Sequence, residues 1–104
     1  MTRKDQIEAM LAHDPEDSFL RYGLAMEHVS AKDDAAAMRE FRELLKRDAG
    51  YVPAYLQAGQ ALIRLGEEDE AKEMLKAGIE AARRAGHPHP AGEMEGIQAT
   101  QYPG

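Results

Sequence analysis

Apolar residues recur along this chain three or four positions apart, the spacing of helices, and hardly ever alternate as they do in strands. Ile7, Met10 and Leu11 mark a first helix from about Arg3 to Ala12, with Thr2 as its cap and Asp5 three residues on. Phe19, Tyr22, Gly23, Met26 and Val29 mark the main stripe of a second helix. Its start signal is Asp14 as N-cap, Pro15 at the first helical position, and Glu16 and Asp17 at the positive helix end. Ala37, Phe41, Leu44 and Leu45 mark a third, from about Asp33 to Arg47. A fourth spans about Pro53 to Leu65 and stops at Gly66; a fifth spans about Glu68 to Arg84 and stops at Gly86. Gly50, between the third and fourth, is free to take a left-handed cap. His87-Pro-His-Pro90 then breaks the pattern. Ala91 to Ala99 reads as a short sixth helix with Met94 and Ile97 inward, weakened by Gly92 and Gly96 at roughly 1 kcal/mol each. Gln101 to Gly104 reads as a tail.

Two stretches nearly repeat each other. Sliding the second helix onto the fourth matches Phe19 with Tyr55, Gly23 with Gly59, Met26 with Leu62 and Val29 with Leu65, an offset of 36 (55 minus 19). Sliding the third onto the fifth matches Ala37 with Ala71, Phe41 with Leu75 and Leu45 with Ile79, an offset of 34 (71 minus 37). The difference implies two extra residues in the first inter-helix turn. The pattern aromatic-x2-x-Gly-x2-large, then Ala-x3-large, resembles the tetratricopeptide repeat, whose unit is about 34 residues of helix, turn and helix. The resemblance implies an all-α fold of helix-turn-helix repeats in one domain. Its parts are a helix over 3–12, repeat one over about 14–48, repeat two over about 51–85, and a C-terminal helix and tail over 87–104. Such repeats bury their faces only by stacking, and about three are usually needed. With two in view, Ile7, Met10 and Leu11 of the first helix are expected to be buried as a cap.

The resemblance also implies a concave face, lined by the first helix of each unit, that holds an extended peptide or a helix. The residues expected there are Leu20, Arg21, Leu24, Glu27 and His28 in the first unit and Leu56, Gln60, Ile63 and Arg64 in the second. Leu20, Leu24, Leu56 and Ile63 should then be more exposed than Phe19, Met26, Tyr55 and Leu62. The function this implies is a non-catalytic adaptor binding a protein or peptide. The alternative is a self-associating module, a homodimer whose groove is filled by its own copy.

Composition narrows the field further. In 104 residues the net charge is -6, which repels phosphate backbones and argues against nucleic acid. No apolar run nears the roughly 20 residues that span a bilayer, and the N-terminus has no signal-like apolar core. Cysteine is absent, which excludes disulfides and thiolate metal sites and fits a cytoplasmic location. His87 and His89 stand beside prolines without further ligands converging on them, so no metal is expected. The run Glu67-Glu-Asp-Glu70 suits a helix start, where carboxylates are favourable anyway. No phosphate loop, dinucleotide fingerprint or catalytic grouping is present, so neither an enzyme nor a cofactor is expected.

Overall fold

The structure is a computed structural model that describes all 104 residues. It contains six helices: α1 (Arg3–His13), α2 (Ser18–Ser30), α3 (Asp34–Arg47), α4 (Val52–Arg64), α5 (Glu68–Arg84) and α6 (Pro88–Gln101). Each packs against the next in chain order, and the stack extends over 46 × 29 × 19 Å. No helix is long and apolar enough to cross a membrane.

Side chains set the helix starts. Thr2 and Asp5 form a reciprocal capping box on α1. Asp17, not Asp14, caps α2 by accepting from the Leu20 N–H at 3.0 Å. Asp14 ends α1 instead, its N–H donating to the Met10 carbonyl. Asp33 caps α3 through the Ala36 N–H. Helix α6 begins at Pro88 and runs to Gln101, longer at both ends than its apolar pattern implied. Pro88 and Pro90 lie within its first turn, where backbone N–H groups have no helical partner to lose. Tyr102, expected in a tail, is half-buried against the core with Lys72 Nζ 5.3 Å from its ring centre. Gly50 is not left-handed.

A single period runs through the stack. Helices α2 and α4 begin at Ser18 and Val52, and α3 and α5 at Asp34 and Glu68. Both offsets are 34 (52 minus 18, 68 minus 34). In the first hairpin turn the Lys32 and Asp33 N–H groups donate to the Val29 and His28 carbonyls. In the second, Gly66 and Glu67 donate to Ile63 and Leu62. The left-handed residues of the two turns, Lys32 at φ 61° and Gly66 at φ 75°, are one period apart as well. Holding lysine there costs about 1 kcal/mol that glycine avoids. The connector from α1 to α2 obeys the same period: Asp17 donates to the Asp14 carbonyl as Tyr51 does to that of Asp48. Helix α1 is therefore the counterpart of α3.

The first turn thus holds no extra residues, and the match of Phe19 with Tyr55 sets α2 two positions out of register. Two positions rotate a helix face by about 200°, so the two stripes expected on α2 exchange places. Phe19 is 73% exposed, and Tyr22, Met26 and Val29 are only half-buried. Leu24 is 5% exposed, packed with Leu20 against Ile7 and Leu11 of α1. Ala25, fully buried, stands where Gly59 does. The second unit lies as expected, with Tyr55 and Leu62 buried and Leu56 and Ile63 half-buried. Met10 is 49% exposed, contrary to expectation, because α2 is the one helix against which α1 packs extensively.

The main core joins α2, α3, α4 and the start of α5 around Phe41, Met38, Leu44 and Leu62. A second cluster around Tyr55, Leu75, Ile79 and Met94 joins α4, α5 and α6. Gly59 and Gly78 allow the close approach in that cluster. A Cβ at Gly59 would lie 2.6 Å from Leu75 Cδ2, and one at Gly78 would lie 2.5 Å from Tyr55 Cβ.

Candidate functional site

With the register corrected, one line of α2 and one line of α4 share a face. Tyr22, Met26 and Val29 correspond to Leu56, Gln60 and Ile63, each one period on, and all of them are half-buried. Phe19 begins this line on α2. Its neighbours are ordered: the Tyr22 ring packs on Phe41, with centroids 6.3 Å apart, and on Tyr51 at 5.5 Å. Burial raises the hydroxyl pKa of Tyr22 and Tyr51, with the other ring's charge adding for Tyr22. The result is a firm apolar surface, not a pocket of titrating groups.

Beside Phe19 a cleft of about 560 Å³ opens between α1 and α2. Gln6, Ile7 and Met10 form one wall and Phe19, Tyr22, Gly23 and Met26 the other, with Arg3 and Glu27 at its mouth. These two residues pair at 3.5 Å, and the Arg3 side chain remains 79% exposed.

The nine residues read from sequence as lining the groove divide into three groups. Leu20, Leu24 and Glu27 face α1. Arg21 turns toward α3, donating to Glu40 at 2.9 Å and to the Pro15 carbonyl; His28 is half-buried and gives its carbonyl to the hairpin turn. Leu56, Gln60, Ile63 and Arg64 lie along α4, the first three on the shared face. Sequence reading places Phe19, Tyr22 and Met26 in the core, whereas Phe19 is exposed and Tyr22 and Met26 are half-buried on this face. The third and fifth helices carry the missing signal, because their offset, applied to α2, pairs Leu24-Ala25 with Ala58-Gly59.

Arg64 is held at the edge of this face. Its guanidinium makes two hydrogen bonds to Asp34, at 2.9 and 3.0 Å. These bonds hold the Asp34 carboxyl below its ordinary pKa of 3.8, against a smaller opposing effect of burial. A depressed native pKa stabilises above the unfolded value and is lost as pH falls through the native one. Arg64→Ala should therefore lower the unfolding temperature at neutral pH. The gap from wild type should close well below pH 3.8. With Arg64 45% exposed, solvent limits the effect to about 1 kcal/mol at most. Thermal melts of both proteins across this range check it; a gap that persists in strong acid assigns the loss to packing.

No charged or polar residue is buried in the chain. A family model of the tetratricopeptide repeat matches residues 28–88. A solution structure of a tetratricopeptide repeat domain protein from Salinibacter ruber is 35% identical, over 86% of this chain and 90% of that one, with a TM-score of 0.80. A crystal structure of a tetratricopeptide repeat domain protein from the same organism is 33% identical, over 82% and 94%, with a TM-score of 0.77. A protein from Bordetella parapertussis shares the fold at 24% identity, over 97% and 88%, with a TM-score of 0.85. No curated protein matches. The register of the helices, the form of their turns and these likenesses agree: the chain belongs to the tetratricopeptide repeat family.

Proposed function

We propose that the protein is a non-catalytic adaptor that binds an apolar peptide or helical segment of another protein. The binding surface is the face shared by Phe19, Tyr22 and Met26 of α2 with Leu56, Gln60 and Ile63 of α4. Arg64 and its partner Asp34 form the edge. The observation that carries this reading is Phe19, a large aromatic left 73% exposed beside ordered apolar neighbours. Such clusters usually mark interaction surfaces, and aromatics supply much of the binding energy there. The absence of cysteine suits work in a reducing compartment such as the cytoplasm.

Peptides selected from a displayed random library against the wild-type protein provide the probe. Phe19→Ser should leave the unfolding temperature unchanged and weaken the selected peptides by about 30-fold, the loss of one aromatic anchor. Equal binding by the variant would remove this surface from the function.

A further inference from the structure

The cleft between α1 and α2 has a closed counterpart inside the molecule. Moved one period along the chain, its wall residues Gln6, Ile7 and Met10 become Glu40, Phe41 and Leu44, and Leu20 and Glu27 become Ala54 and Ala61. Those residues enclose α2. Arg21 pairs with Glu40, Tyr22 packs on Phe41, and Tyr22 and Met26 lie against the cluster that includes Ala54 and Ala61. The cleft is thus shaped for a helix that would stand to α1 as α2 stands to α3.

Helix α6 has the matching face. The Pro53-Ala54 start of α4 matches Pro90-Ala91 of α6, both alanines buried, and Gly59 matches Gly96, so the counterparts of α4 residues are taken 37 positions on (90 minus 53). Tyr55, Gly59 and Leu62 then correspond to Gly92, Gly96 and Ala99. In α4 this line meets the following helix, with Gly59 against Leu75 and Tyr55 against Gly78. In α6 the line is exposed, and a Cβ at Gly92 or Gly96 would meet nothing within 4 Å. On α1 the places of Leu75 and Gly78, two periods back, are taken by Ile7 and Met10. The sizes are reversed and still complementary: Tyr55 fits over Gly78 within the chain, and Met10 would fit over Gly92. Charge is compatible: α6 carries Glu93 and Glu95 and no lysine or arginine, Glu95 pairing with Arg83 of its own chain, and Arg3 at the mouth of the cleft, paired with Glu27, keeps an exposed side chain.

We propose that α6 of one copy docks in the α1–α2 cleft of a second copy, continuing the packing of α2 in its own enclosure. The two surfaces differ, so the contact does not close on itself and copies add head to tail. One helix buries little area, so association is weak and rises with concentration. The cleft shares Phe19, Tyr22 and Met26 with the proposed peptide-binding face, but the docking rests on the repeat geometry of α1, α2 and α6 and stands whether or not that face holds a peptide.

Light scattering across a wide concentration range tests this on the full chain. The wild-type average mass should climb with concentration and pass the dimer. Gly96→Trp blocks the donor face and Met10→Glu the cleft. Both positions are exposed, so each variant should keep the wild-type helical signal and unfolding temperature, and each alone should stay monomeric. An equimolar mixture retains one intact cleft and one intact α6, and should rise to a dimer and stop. The proposal is overturned by a wild type that stays monomeric throughout, by either variant assembling as wild type does, or by a mixture that stays monomeric.

Discussion

The Gly78→Leu protein is expected not to fold. Gly78 lies where α4, α5 and α6 meet. Even a methyl group there would come within 2.5 Å of Tyr55 Cβ and 2.6 Å of Met94 Sδ. The Tyr55 Cβ moves only with its backbone, and the ring beyond it is anchored, its hydroxyl donating to the Ala49 carbonyl at 2.5 Å. Met94 is fully buried. No rotamer change relieves such a clash, so the helices must separate and both sides of the second cluster lose their contacts. Alanine is the finer probe. In an open helix Gly→Ala adds about 1 kcal/mol of stability; at Gly78 the sign should reverse. Circular dichroism melts of the two variants check this. A Gly78→Ala protein more stable than wild type would mean that the three helices do not meet there.

Gly59→Leu should cost at least the roughly 1–3 kcal/mol typical of overpacking, or roughly 10 °C in unfolding temperature for a domain of this size. Its Cβ would meet Leu75 at 2.6 and 2.9 Å, and Leu75 is fully buried. Gly23 is the instructive control. A Cβ there would touch only Ile7 Cδ1, at 3.6 Å, an ordinary contact. Gly23→Ala should therefore raise the unfolding temperature by a few degrees through helix propensity. If both substitutions destabilise alike, Gly23 and Gly59 are equivalent and the register of α2 is wrong.

That register is where apolar pattern and geometry part. The six helices, their class and most of their ends follow from apolar spacing and capping residues, and the third, fourth and fifth helices bury most of the residues their patterns mark, with Leu45 half-buried and Leu65 exposed. The second does not, because chemical likeness pairs Phe19 with Tyr55 and Gly23 with Gly59, whereas geometry pairs Arg21 with Tyr55 and Ala25 with Gly59. The hairpin turn would settle the choice, but its left-handed residue is Lys32, which carries no turn signal, where the second hairpin has Gly66. The same slip hides Phe19 within the expected core and turns Leu24 toward the expected groove. The extent of α6 is obscured by Pro88, which reads as part of a break ahead of Pro90 and serves as the start.

Helix α1 corresponds to the second helix of a unit and α6 to the first helix of another, so the six helices form two whole units with half a unit on either side. Inserting a further copy of the stretch from Asp34 to Glu67, which carries α3 and α4, would lengthen the stack by one layer and leave both end faces as they are. Growth along the axis is in this sense quantised, and the faces that α1 and α6 present are independent of how many layers lie between them.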